Sequence, residues 1–125
     1  MRIFREFMEA LALLINKKHG FTEDSFSTLY STYFKRDRNF YEENDLESIS
    51  TDLAMQTDEQ AVGIKLEMLA ELLYYDVQTI HDPSRRHNLM QKAFTILKEI
   101  DRTSTTYSAE RLRKIADLEQ ALSEN

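Results

Sequence analysis

The sequence predicts an all-α fold: a single domain, residues 1–125, built as a bundle of about five to six antiparallel helices. Three observations predict it. Apolar residues recur at spacings of three and four along most of the chain, the period of one helix face. The 125 residues include only two glycines and one proline, too few turn formers for an all-β fold. A chain of this length with 42% apolar and 30% charged residues suits one soluble domain whose core needs no covalent staple.

The most apolar element is the stretch from Thr57 to Ile80. Val62, Leu66, Leu69, Leu73, Val77 and Ile80 form one row, and Ala61, Ile64, Met68 and Leu72 lie beside it. A helix apolar over that much of its girth is buried by neighbours on more than one side. Thr57 and Gln60 match a capping box at its start. Gly63 lies inside it, where glycine marks either a kink or a close approach of another backbone. Ala70, seven residues on along the same face, favours close approach.

The other elements follow in order. The first helix is expected from about Arg2 to Lys18, with a stripe of Ile3, Phe4, Phe7, Met8, Leu11, Leu14 and Ile15. Lys17 and Lys18 complement its dipole, and Gly20 is placed to end it, with Phe21 folding back. Acids at Glu6 and Glu9 on the polar face favour a bundle helix over a membrane-surface anchor. Thr22 caps a second helix with a face of Phe26, Leu29, Tyr30, Tyr33 and Phe34. Lys35 to Asp45 is charged and without a stripe, so it reads as a loop. Asp45 caps a short helix from Leu46 to Ala54. His81-Asp82-Pro83 ends the central helix and starts the next, because aspartate suits the N-cap and proline the first turn. That helix, Pro83 to Arg102, turns Leu89, Met90, Ala93, Phe94, Ile96, Leu97 and Ile100 inward. Ser108 caps a last helix striped by Leu112, Ile115, Leu118 and Leu122, with Tyr107 placed to staple onto Leu112.

The net charge of −6 is uneven. Residues 39–76 hold ten acids against the single base Lys65, whereas the segments on either side are slightly basic. An acidic middle argues against a nucleic-acid partner, although Lys35-Arg36-Asp37-Arg38 and Arg85-Arg86-His87 offer basic groups to phosphates. With no cysteine, disulfides, thiol catalysis and zinc–thiolate sites are excluded. Acids interrupt the N-terminal apolar stretch, and no run approaches the ~20 apolar residues of a membrane span. The expected location is cytoplasmic.

No chemical motif stands out. Glycine occurs only at positions 20 and 63, which rules out dinucleotide and phosphate-binding loops. The Glu-x-x-His pairs of di-iron bundles do not occur. Glu67 and Glu71 read as a solvated edge of the central helix. His81, Asp82 and His87 form the one histidine-containing acidic cluster, but two histidines six apart do not share a helix face. His19 suits a helix end. The expectation is therefore no catalytic residue, no metal and no cofactor.

The segment LMQKAFTILKEID, Leu89 to Asp101, resembles the second helix of a tetratricopeptide repeat, with Met90, Ala93 and Leu97 at that repeat's Tyr, Ala and aromatic positions. The likeness covers about residues 65–102 and implies a helical hairpin followed by a further antiparallel helix. The whole chain is also similar to small all-helical bacterial proteins of unknown function, which imply a fold and no activity. The leading reading is a non-enzymatic module that binds another protein or a second copy of itself. Its candidate contacts are Lys35, Arg36, Arg38, Phe40 and Tyr41, because aromatic and arginine side chains dominate interface hot spots. The two adjacent rings either pin their loop to the bundle or leave at least one ring for a partner. The alternative is a small-ligand binder or enzyme with a pocket among the aromatics of residues 21–41, where seven of the thirteen rings lie. A third reading is an acidic regulator that touches nucleic acid through the basic loop. Circular dichroism is expected to give helix over more than about 65% of the chain and no strand, and substantial strand content would overturn the all-α reading.

Overall fold

Aspartates and one serine set the helix starts. In the computed structural model, which describes residues 2–16 and 24–124, the side chains of Asp37, Asp45, Asp58, Asp82 and Ser108 each accept a backbone N–H of the turn that follows. Such a cap satisfies one of the donors that a helix start leaves open, typically worth about 1 kcal/mol. The helices are α1 (Arg2–Ile15), α2 (Ser27–Phe34), α3 (Arg38–Glu43), α4 (Leu46–Gln56), α5 (Glu59–Asp76), α6 (Pro83–Thr103) and α7 (Ala109–Ser123). A 3₁₀ turn, Val77–Thr79, follows α5. Helix accounts for 83% of the described residues, and there is no strand among them. The all-α bundle is as expected.

The central helix is α5, which packs against α1, α4 and α6. Leu69, Leu72 and Leu73 of α5 are fully buried, as are Leu89 and Ala93 of α6, Phe7 of α1 and Phe34 of α2. Two cross-links give the direction of α7. Lys114 pairs with Glu71, and one turn further on in both helices Tyr74 donates to Asp117 at 2.7 Å. Because both partners advance together, α5 and α7 run parallel. A short connection through Asp82 and Pro83 turns α6 back against α5, and α6 also packs on α7.

Several sequence expectations are corrected. The stretch from Lys35 to Asp45 is not a loop throughout, because Asp37 caps α3 there and adds a seventh helix among the described residues. A helix this short, with Tyr41 as its one buried residue, has no stripe to read. The central helix starts from Asp58 rather than Thr57, since it is the Asp58 carboxylate that accepts from the Ala61 N–H at 2.9 Å. Its α-helical part ends at Asp76, not Ile80. The short helix α4 continues two residues past Ala54, to Gln56. Tyr107 is 78% exposed, so it does not close a staple over Leu112. The expectations for Lys17, Lys18, His19, Gly20, Phe21 and Thr22 lie outside the described residues.

Gly63 is exposed, and a Cβ built there meets nothing within 4 Å. There is no close approach for glycine to permit, and the residue only adds backbone entropy to the unfolded chain. Gly63→Ala is therefore expected to raise the unfolding free energy by about 1 kcal/mol in urea denaturation. A loss of stability would show that the position is crowded after all.

Candidate functional site

The face built by α2, α3 and α4 rests on one buried carboxylate. Asp76 is fully buried at the end of α5. It lies three residues after Leu73 and four before Ile80, on the apolar row. The carboxylate accepts from Tyr30 Oη at 2.5 Å, from Arg38 Nε and Nη2 at 2.7 Å each, and from Thr79 Oγ1 at 2.9 Å. A two-pronged guanidinium is the counterion best shaped for a carboxylate. Burial pushes the Tyr30 phenol well above its ordinary range, and the Asp76 charge adds to it. Burial opposes the charge on Arg38, but the hydrogen bonds and charge of Asp76 outweigh it and hold that guanidinium above its usual value. Tyr30 thus keeps its proton and Arg38 its charge. The cluster works as a strut that holds α2 and α3 onto α5.

Lysines of the long helices secure the short ones. Lys65 of α5 donates to the Tyr33 carbonyl of α2 at 2.5 Å. Lys92 of α6 donates to the carbonyls of Tyr41 and Glu42 in the last turn of α3. Burial lowers both ammonium pKa values, most strongly as a cause in each case. Arg85 of α6 grips Glu42 at 2.7 Å and 3.2 Å.

Outside this strut, Arg36 makes a two-pronged pair with Asp52 of α4 at 2.6 Å and 3.2 Å. Its guanidinium carbon lies 4.6 Å from the centre of the Phe40 ring. Three neighbouring depressions lie around this pair. One of about 730 Å³ runs along α2 and the turn into α3, lined by Ser27, Thr28, Tyr30, Ser31, Lys35 and Arg38 among others. The second, about 510 Å³, shares Lys35, Arg36 and Asn39 with the first and adds Phe40 and Glu43. The third, about 530 Å³, starts at Phe40 and continues along α4 past Asp45 and Ser48 to Met55. Lys35 sits between α2 and α3 with φ of 60°, the one positive φ outside glycine among the described residues. It is the left-handed cap that ends α2, with the Lys35 backbone N–H donating to the Ser31 carbonyl at 3.2 Å.

The five candidate contacts separate. Lys35 and Arg36 are exposed, Phe40 is half-buried, and Arg38 turns inward to Asp76. Tyr41 is completely buried. Its ring stacks on Tyr30 at 5.8 Å and meets Phe34 and Phe40 edge-on. It therefore belongs to the core and not to the surface. Of the aromatics on α2, only Tyr30 lines the large cleft, whose walls are otherwise hydroxyls and charges. The basic groups considered for phosphate contact are largely engaged, with Arg36, Arg38 and Arg85 each facing a carboxylate.

Sequence reading missed Asp76, Asp52 and Lys114, all buried. Each had a signal: Asp52 stands three residues from Ile49 and Lys114 four from Leu118, so each is an ionisable residue on an apolar row. Glu71 is correspondingly not on a solvated edge, since it pairs with the buried Lys114. Burial and then the neighbouring Glu71 raise the Glu67 carboxyl. His81 is exposed and His87 half-buried. Among the described residues no group of three or more acid, histidine or cysteine side chains is placed to hold a metal. No helix there is long and apolar enough to cross a membrane. No family model matches the chain, and no curated protein or solved structure matches it.

Two tyrosines give opposite expectations. Tyr41 Oη is buried and has no hydrogen-bond partner among the described residues. Removing an unsatisfied hydroxyl is neutral or favourable, so Tyr41→Phe should leave urea stability unchanged or raise it by about 1 kcal/mol. Tyr30→Phe strips a donor from a buried carboxylate and should cost about 1–3 kcal/mol. Equal effects of the two changes would contradict the geometry. The phenols of Tyr30 and Tyr41 are raised chiefly by burial, and that of Tyr74 is pushed up to about 12 by burial and then Asp117. A phenol whose folded pKa lies above its unfolded value of about 10 contributes stability that is complete below that pH and lost above it. The urea midpoint should accordingly fall between about pH 10 and pH 12, and a flat profile would count against buried phenols.

Proposed function

We propose that the protein is a non-enzymatic helical module that holds a segment of another polypeptide across the α2–α3–α4 face. The observation that carries the reading is the row of three neighbouring depressions, the middle one sharing lining residues with each of the others around the stacked Arg36 and Phe40. A row of open, adjoining depressions suits an extended chain better than a small molecule, which is usually enclosed. Aromatic and arginine side chains at its centre are the residue types that carry interface energy. Lys35 extends the basic end and Met55, 83% exposed, closes the far end with a flexible apolar group. The parallel α5 and α7 with α6 running back between them support the tetratricopeptide-like likeness of the C-terminal half. A cytoplasmic setting belongs to the same reading.

The 730 Å³ cleft also favours a second reading, a polar small ligand held by Ser27, Thr28, Ser31 and Lys35. Photo-crosslinking in cells separates the two. A benzophenone amino acid replacing Asn39 is expected to trap a discrete polypeptide, whereas the same group replacing Glu119 on α7 should not. Failure to trap at Asn39, together with a small molecule found in the protein by native mass spectrometry, would replace the first reading with the second.

A further inference from the structure

The apolar arc of α1 is wider than its contact with the core. Phe7 and Leu11 are buried. Phe4 and Met8 pack against the edge of the core but are only half-buried, Ala12 is exposed, and their spacing of four sets them in one row along the flank of the helix. The row floors a shallow depression rimmed by Arg5 and Glu9. Arg2 pairs with Glu6 within the helix at 3.3 Å. Arg5 and Glu9 are both exposed and make no ion pair among the described residues.

We propose that this row docks on the same row of a second copy of the chain, with the two α1 helices antiparallel about a two-fold axis near Met8. The order of residues selects the partner and the direction. In a parallel pair, Phe4 would meet Phe4 and crowd two rings, while Arg5 and Glu9 of one copy would lie on the opposite side of the seam from those of the other and form no charged pair. In the antiparallel pair, Phe4 lies against the small Ala12 of the second copy, and the two Met8 side chains meet at the axis. Arg5 comes within reach of Glu9 of the second copy, and Glu9 within reach of its Arg5. Both ends are satisfied by one self-complementary contact, as a two-fold interface requires. A helix of 14 residues offers less than the roughly 800 Å² per partner of a standard interface, so the association is weak. The face lies on α1, apart from the α2–α4 channel, and does not depend on that reading.

Charge reversal tests it in the full chain. Sedimentation equilibrium of the wild type over about 0.01–1 mM at low salt is expected to show monomer passing to dimer. Arg5→Glu and Glu9→Arg each place like charges across the axis and should weaken association by about tenfold or more. The double variant Arg5→Glu/Glu9→Arg restores the opposite pairing and should return dimerisation to near the wild-type level. Both residues are exposed, and circular dichroism of each variant verifies that the fold is kept. A wild type that stays monomeric throughout overturns the proposal. So do single reversals without effect, or a double variant that associates no better than the singles.

Discussion

A carboxylate taken out of water must be surrounded by donors, and that requirement at Asp76 organises half of the molecule. Its partners come from α2, from the start of α3 and from the 3₁₀ turn behind α5. Uncompensated, a buried charge costs several kcal/mol, so the three elements cannot drift from their places without exposing or orphaning it. Arg38 matters most, since it alone supplies a matching charge in a matching shape. The Tyr30 ring, held by the same carboxylate, then stacks on Tyr41 and seats α3 against the core.

The short helices need such anchors. α2 and α3 are too short to be stable alone, because helix nucleation is costly and is recovered only over longer runs or by tertiary contact. Lys65 and Lys92 reach from α5 and α6 to the carbonyls at their C-terminal ends, where unpaired acceptors accumulate. The long helices thus provide the scaffold, and the short ones form the surface that carries the three neighbouring depressions. Arg36 and Phe40 stand on that surface because their neighbours Arg38 and Tyr41 are drawn inward. Phe40 and Tyr41, adjacent on α3, point to different sides of that helix, and Arg36 lies before its Asp37 cap.

The same division separates the two proposed contact faces. The α2–α4 channel is polar, rimmed by charges and built from short elements. The α1 flank is an apolar row with one charged pair, on a continuous helix.

Much of this was legible in the amino-acid order. Helix class, the central role of α5, the caps at Asp45, Asp82 and Ser108, and the inward residues of α6 all follow from periodicity and local hydrogen bonding, which act over a few residues. The basic and aromatic run from Lys35 to Tyr41 also pointed to the region of the candidate site. What periodicity left undecided were the pairings between distant parts of the chain. Glycine at 63 looked like a packing residue, yet only the placement of the neighbours shows that none comes near. Asp76, Asp52 and Lys114 interrupt apolar rows, but which partner neutralises each depends on helices 16 to 46 residues away meeting in space. Tyr41 sits next to Phe40 in the chain, and the inward turn of α3, held by Lys92 and by the Asp76 cluster, puts one ring in the core and leaves the other at the surface. Local sequence sets which residues can be helical and which face is apolar; the cost of leaving a buried charge unpaired decides how those faces are finally assembled.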